Sequence, residues 1–364
     1  MLSNEKLTVY LSSHFVMNLA RRKMMEKMII AIIKSGGIGQ YKMAEACGSS
    51  AAIESTERRI QRFFAQVKLD AIAITKFVLS LFDLPEKVVI VMDRTNWQFG
   101  KIDINILALA IMIDGVGIPI YWEFLPHRGN SNAYQRIEFM NFLKAIMPVE
   151  QIKVLLADRE FIGQMWFTHL IGAEIPFCIR TRENMTISHA GNSNKKISLK
   201  RLFCSLRQGE MREISLSEYG HKVRYVATRI DSGELLIVAT SLMTNGENIL
   251  KIYADRWSIE SMFKALKSSG FNIEDTHIAR TDRLNTLVAL MTIAYALSVK
   301  VGIVKNRLKP IRIKTHMRRA VSIFKYGFRE IRCSLINFST KSFNKIVSII
   351  LENTENHGVK YESC

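Results

Sequence analysis

Three acidic residues in this chain stand where acids can do chemistry. Asp93 follows the apolar run Lys87-Val-Val-Ile-Val-Met92, and Asp158 follows Val154-Leu-Leu-Ala157. Both therefore fall at the ends of expected strands, on the rim from which a sheet offers side chains to ligands. Either one alone can simply cap the next turn. Two adjacent buried carboxylates repel unless a cation lies between them, and hard divalent ions with oxygen ligands are what such pairs usually hold. The third acid, Glu260, lies in Tyr253-Ala-Asp-Arg256-Trp-Ser-Ile-Glu260, with Lys267 seven residues on. On one continuous helix Arg256, Glu260 and Lys267 share a face, with Tyr253 one turn below. An ordinary i,i+4 ion pair on a solvated face has the same spacing. Trp257, Ile259, Phe263 and Leu266 are expected to pack this helix onto the body instead. An acid flanked by two cations and a phenol can then ligate a metal while gripping phosphate oxygens.

Such residues converge only if the fold brings them together. Hydrophobic residues make up 48% of the 364 and charged residues 23%, a globular balance that excludes wholesale disorder. Residues 1–85 read as helical. A helix is expected over 16–34, ending at Gly36-Gly37. A short helix, a Gly48 turn and a basic helix then follow, with Arg58, Arg59 and Arg62 beside Ile60, Phe63 and Phe64. That is helix-turn-helix grammar, and it makes the three arginines candidate DNA contacts. Over 86–182 the pattern predicts three antiparallel strands, a helix over 133–146, a fourth strand, a helix over 162–172 and a fifth strand, an α/β layer. Ile137, Met140, Phe142 and Leu143 are the expected inward face of the first of these helices. Residues 183–248, short β-rich runs between polar turns, read as a β-rich insertion. The helical pattern resumes over 249–300, and 301–364 is a basic helical region.

The formal charge of +18 calls for a polyanionic partner, nucleic acid or an anionic membrane surface. Between 300 and 345 stand 13 Lys+Arg against Glu330 alone, which makes Arg312, Lys314, Arg318 and Arg319 further candidate DNA contacts. Residues 284–304 are long enough to span a membrane, but the surrounding chain predicts a buried central helix. Five scattered cysteines without a CxxC pair, and a start without the order of a signal peptide, predict reduced thiols in a cytoplasmic protein.

Tyr253, Arg256, Glu260 and Lys267, as Tyr-x2-Arg-x3-Glu-x6-Lys, resemble the YREK signature of the DDE transposases of bacterial insertion sequences, in the group numbered family four. Met92-Asp93-Arg94-Thr95-Asn96-Trp97 and Ala157-Asp158-Arg159-Glu160-Phe161 resemble that family's first and second aspartate segments, and the resemblance covers roughly 40–335. It implies an RNase H-like (retroviral-integrase-like) catalytic core with an inserted β-rich domain, flanked by helical N- and C-terminal regions. Asp93, Asp158 and Glu260 would be catalytic and hold two Mg²⁺ ions, with Mn²⁺ as a substitute. Tyr253, Arg256 and Lys267 would hold DNA phosphates. The implied partner is double-stranded DNA, both transposon ends and target, bound by a homodimer in a synaptic complex, with no membrane and a place at the bacterial nucleoid. Better-known relatives stack a flipped base on a tryptophan in the insertion. This chain has none between Trp166 and Trp257, so Tyr219, Tyr225 or Phe203 becomes the expected base platform. A junction-resolving or repair nuclease would share the three acids, and a domesticated DNA-binding protein would be expected to have lost them. Glu160 is expected to be salt-bridged, Asp114 to serve a turn, and His127 with Arg128 to touch phosphate or form a rim pair.

Overall fold

The computed structural model describes residues 5–189, 192–218, 221–315, 317–337 and 340–351. Five helices open the chain: α1 (Glu5–His14), α2 (Leu19–Ser35), α3 (Gln40–Ala46), α4 (Ile53–Gln66) and α5 (Ala71–Ser80). Helix α2 starts where the Asn18 side chain accepts the Arg21 N–H. It stops at Gly36, whose φ of 67° lets its own N–H reach the Ile32 carbonyl. Helix α4 buries Ile60, Phe63 and Phe64 and leaves Arg58, Arg59 and Arg62 exposed.

The sheet begins with an antiparallel meander of β1 (Val88–Phe99), β2 (Ile102–Ile113) and β3 (Val116–Phe124). Asp114 and Gly115, both at positive φ, make the tight β2–β3 turn that the right-handed strand twist favours. Helix α6 (Ala133–Lys144), started by a reciprocal Asn132–Gln135 cap, leads to β4 (Ile152–Ala157), which runs parallel to β1. Helix α7 (Gln164–Gly172) leads to β5 (Phe177–Arg180), parallel to β4. Parallel neighbours need such crossovers. The buried face of α6 is Arg136, Phe139, Met140 and Leu143, so the expected inward positions Ile137 and Phe142 are corrected to half-buried flanks.

Over 183–248, the stretch expected to be an insertion, β6 (Thr186–His189) and β7 (Asn192–Ser198) form a separate ribbon, followed by the one-turn α8 (Leu199–Leu202). Strands β8 (Met211–Glu218), β9 (His221–Arg229) and β10 (Leu235–Thr240) return to the main sheet, because β10 pairs antiparallel with β5. The product is one mixed sheet of eight strands in the order β3-β2-β1-β4-β5-β10-β9-β8.

Helices α9 (Gly246–Ala254) and α10 (Trp257–Lys264) follow, and α10 runs into a π-helical turn over Ala265–Ser269. Then come α11 (Thr281–Leu308), α12 (Ile323–Ile336) and α13 (Thr340–Leu351). By length and composition α11 can cross a membrane, yet 94% of its apolar window is buried inside the protein. It runs antiparallel to β3. The Trp122 indole donates to Asn285 (2.7 Å), the Tyr295 hydroxyl to the Gly117 carbonyl (3.1 Å), and Arg307 to Asp114 (3.2 Å). Helices α11 and α12 cross at Gly302 and Gly327, where a Cβ on either would collide with the other helix's backbone. Glycine weakens a helix interior; here it allows backbone-to-backbone packing.

Candidate active site

Register places the first two acids. Met92 pairs with Ala157 across the parallel β1–β4 contact, so the next residues, Asp93 and Asp158, emerge beside each other. The strand-end expectation holds for Asp158, just past β4, and is corrected for Asp93, which lies midway along β1 because that strand runs on to Phe99 against β2. Asp93 Oδ1 accepts the Arg94 N–H (2.7 Å) and Oδ2 accepts from Arg256 Nη1 (3.3 Å). Burial pushes its pKa up to about 7; the Arg94 amide and Arg256 oppose that shift, and Asp158 and Glu160 add to it. Asp158 Oδ1 is buried and has no hydrogen-bond partner.

The third acid arrives from α10, which crosses β3 at Gly117. A Cβ there would lie 3.0 Å from the Ser258 carbonyl, so glycine sets how closely this helix approaches the sheet. Glu260 Oε1 accepts from Arg256 Nη2 (2.6 Å). Arg256, only 5% exposed, thus joins two of the three carboxylates through one guanidinium. Burial works against its charge, and Tyr253, Glu260, Asp158 and Asp93 outweigh it, so its pKa is raised.

The single helix expected over Tyr253–Lys267 is corrected. Tyr253 closes α9, Asp255 and Arg256 form a turn, and Lys267 lies in the π-helical turn. Arg256 keeps helical backbone angles and its i,i+4 bond to Glu260 while its other terminal nitrogen reaches Asp93. The Tyr253 hydroxyl is buried without a partner, while its ring lies 5.9 Å from the Arg256 guanidinium carbon. Lys267 donates to the Asn96 carbonyl (2.8 Å) and pairs with Glu274 (3.1 Å). Trp257, expected to pack inward, is 64% exposed, because it opens α10 on the side away from the buried Ile259 and Phe263.

A polar scaffold behind the acids went unread in the sequence except for Glu160, which was expected to be salt-bridged. Arg94 pairs with Glu160 (3.3 Å), which gives Glu160 its salt bridge, and donates to Asn105 (2.9 Å). Asn105 in turn donates to the His127 and Gly129 carbonyls (2.8 and 3.0 Å). Arg136 donates to the Ser131 hydroxyl (2.9 Å) and to the carbonyls of Ser131, Glu160 (2.9 Å) and Ile162 (3.3 Å). Burial lowers its pKa to about 10, so it stays charged at neutral pH. These contacts fix the turn that follows Asp158. The available signal was Arg136 at the first position of an i, i+3, i+4, i+7 stripe with Phe139, Met140 and Leu143.

Several other candidates lie apart from the acids. Arg58 and Arg62 line a cleft of about 1470 Å³ between α3–α4 and residues 272–283, with Lys42, Tyr41 and Arg283. A smaller cleft of about 580 Å³ opens beside Asp158, lined by Arg159, Arg180, Arg182 and Lys200. Arg312, Lys314, Arg318 and Arg319 are exposed beyond the far end of α11. Arg128 pairs with Asp103, and His127 contacts Gln135, so both are held as rim residues. The base-platform expectation is corrected for two residues. Tyr225 and Phe203 are completely buried in the core and offer no ring face to a base. Tyr219 lies outside the described residues.

Three carboxylates supply only hard oxygen donors, and the partnerless Asp158 Oδ1 beside an Asp93 held near neutrality suits a divalent cation. Among the described residues no three acidic, histidine or cysteine groups stand close enough to share one ion; Arg256 lies between Asp93 and Glu260. No curated protein sequence matches the chain. Among solved structures, a synaptic complex of piggyBac transposase with hairpin DNA is similar at a TM-score of 0.48 and 11% identity, covering 100% of this chain and 79% of that one. Human ENDOV is similar at 0.31 and 14%, covering 60% and 99%. Neither likeness is close enough to carry an assignment. Residues 84–297, more than half of the chain and spanning every acid of this site, match the family described as Transposase DDE domain, and the chain belongs to that family.

Proposed function

We propose that this protein is the DNA transposase of a bacterial insertion sequence of the YREK group. It binds the element's terminal inverted repeats and carries out cut-and-paste transposition by DNA cleavage and strand transfer. The observation that carries the reading is the delivery of Asp93 and Asp158 side by side from parallel strands, with Glu260 tied to Asp93 through Arg256. The strand order β3-β2-β1-β4-β5, antiparallel and then parallel, supports an RNase H-like core.

Asp93, Asp158 and Glu260 would hold two Mg²⁺ ions, which supply an activated oxygen nucleophile and stabilise the leaving oxygen of an in-line phosphodiester displacement. The rest falls to the chain's own groups. Arg256 exchanges its carboxylate contacts for a DNA phosphate, which frees Glu260 to turn toward the two aspartates. Lys267, anchored over β1, holds a second phosphate. The Arg94–Glu160 and Arg136 contacts keep the Asp158 turn from following these movements. The exposed cations of α4 and of the region after α11 hold duplex DNA outside the site, in a homodimer that synapses two ends at the nucleoid.

The test uses DNA fragments carrying inverted repeats found beside the gene. End cleavage and strand transfer are expected with Mg²⁺ or Mn²⁺ and not with Ca²⁺, whose longer, looser coordination misplaces the reacting oxygens. Strand transfer also separates a transposase from a junction-resolving or repair nuclease. Cleavage that survives in Glu260→Ala protein overturns the reading.

A further inference from the structure

The row of side chains that begins with Asp93 and Asp158 continues one strand further. Ala157 pairs with Ile179 across the parallel β4–β5 contact, so Arg180, the last residue of β5, stands level with Asp158. Side chains alternate between the faces of a strand. Cys178, two residues before Arg180, donates to the Ile249 carbonyl of α9 (3.8 Å). Arg180 therefore lies on the face that α9 covers, from which Tyr253 and Arg256 approach the acids. Burial holds the Tyr253 hydroxyl above its ordinary pKa; Arg256 opposes the shift, Asp158 adds to it and Arg180 opposes it, so Asp158 and Arg180 both stand near that ring. The Arg180 side chain is only 19% exposed, and its Nε is buried without a hydrogen-bond partner.

One acid holds this arginine. Glu234 Oε1 accepts from Arg180 Nη2 and pairs with Arg159 Nη1 (4.0 Å), so a single carboxylate oxygen serves two guanidinium groups. Glu234 comes from the turn between β9 and β10, where Gly233 holds a φ of 82° and its carbonyl accepts from Arg229 Nη1 (2.8 Å). Because β10 runs antiparallel to β5 with Val238 opposite Arg180, that turn projects past the end of β5. Glu234 thus lines the cleft of about 580 Å³ beside Asp158, together with Arg159, Arg180, Arg182 and Lys200. Lys200 pairs with Glu183 (3.7 Å), and no ion pair to Arg182 occurs among the described residues. Glu160, another acid of the wall, is taken by Arg94. Cations therefore outnumber the acids left to face them, and a cleft lined by one sign of charge concentrates ions of the other. A phosphodiester supplies the anionic oxygens that a guanidinium fork binds best.

We infer that Arg159 and Arg180 form a DNA-phosphate site in line with the acids, closed in the free protein by Glu234, whose carboxylate stands where a phosphate oxygen will bind. A DNA phosphate enters by displacing that carboxylate. Glu234 is 43% exposed, so it returns to water at little cost. Arg182 and Lys200 flank the same strand of DNA. The strand order gives the site a position on its substrate. Arg180 lies two strand spacings from Asp93, roughly 10 Å. The phosphate it holds is therefore about two or three nucleotides from the reacting one.

The inference rests on the transposase reading in taking DNA as the occupant, and its test reads binding instead of cleavage. A labelled mixed-sequence duplex is titrated with the full-length protein over a range of salt, with divalent metal chelated. Glu234→Gln removes the competing charge and is expected to bind about two- to fivefold more tightly than wild type, the scale of a half-exposed ion pair. Asp231→Asn removes a charge from the same turn, from a side chain that accepts from Gln208, and is expected to leave the affinity unchanged. Arg180→Gln is expected to weaken binding and to lower the log–log salt slope by about 0.9, one phosphate fewer. Adding Glu234→Gln to Arg180→Gln is expected to bring much less tightening than Glu234→Gln alone. Equal tightening by Asp231→Asn and Glu234→Gln reduces the effect to net charge and overturns the inference. A Glu234→Gln protein that melts at a lower temperature yet binds no more tightly marks a purely structural pair and overturns it too. So does an unchanged slope in Arg180→Gln or, where that protein does not fold, in the exposed Arg159→Gln. A protein that shows the Glu234–Arg180 coupling but never cleaves an end sinks the transposase reading and leaves this site standing.

Discussion

The two ends of α11 handle positive charge in opposite ways. Near its start, level with the acids, Arg256 and Arg136 are buried, Arg94 is half-buried, and all three donate to named oxygens. Past its end, Arg312, Lys314, Arg318 and Arg319 are exposed and unpaired among the described residues. A buried guanidinium that lost its acceptors would suffer a large desolvation penalty, so such a group is a positioning device. An exposed cation costs little to keep, is screened by salt, and gains from polyanion binding by counterion release. Geometry is stored at one end and affinity at the other.

The comparison breaks most visibly if the acids are dispensable. Asp93→Ala, Asp158→Ala and Glu260→Ala are each expected to reduce end cleavage to background while duplex binding stays within a few-fold of wild type. A loss of binding equal to the loss of cleavage would merge the two ends into one function. The next largest effect falls on stability. Arg136→Met leaves the carbonyls of Ser131, Glu160 and Ile162 without this donor, and each buried orphan costs about 1–3 kcal/mol. A loss of about 3 kcal/mol or more in urea unfolding is expected, and an unchanged midpoint would show that the Asp158 turn holds itself. The Arg94–Glu160 pair gives a smaller, sharper reading. A double-mutant cycle is expected to yield about 1–2 kcal/mol of coupling, nearly independent of salt, while duplex binding falls steeply over the same salt range. Strong salt dependence of that coupling would erase the contrast.

The smallest effect is on pH dependence, in the N-terminal helices. Burial holds the His14 imidazole below its ordinary pKa, with the Tyr10 carbonyl opposing the shift. The folded protein therefore binds that proton less readily than the unfolded chain. Its contribution to stability is complete above the unfolded pKa of about 6.5 and is lost as the pH falls from there through the lower folded-state pKa. Melting temperatures on either side are expected to drop on acidification in wild type and to drop less in His14→Gln. Equal drops would place the acid sensitivity elsewhere, His169 being the other imidazole lowered by burial among the described residues.

The strands and the first two acids were legible because the physics that makes them is local. A continuous apolar run such as Val88–Met92 can only be a buried strand or helix, and the positive-φ pair Asp114-Gly115 fixes the meander. What escaped depends on partners distant in the chain. Arg256 looked like one member of a helical face, and its bond to Asp93 crosses 163 positions. Helical spacing carried no sign of the turn at Asp255–Arg256 or of the π-helical turn around Lys267. Tyr225 was an expected base platform, and it is completely buried between its strand partners Ile214 and Ala239. Arg136 was hidden by its type: an arginine on an amphipathic helix reads as surface unless its place in the apolar stripe is noticed.

The pairing of β5 with β10 bears on how the chain is made. Ile179 meets Ala239, so β5 must wait for sixty further residues before its second edge is covered. During synthesis the nascent sheet β3-β2-β1-β4-β5 therefore carries an open border that is apolar up to Arg180, since Phe177, Cys178 and Ile179 are all destined for burial. Exposed strand edges recruit other chains. Premature termination anywhere between β5 and β10 would release a fragment with that border permanently uncovered. Such fragments are expected in the insoluble fraction, whereas a product ending after Thr240 has its sheet complete.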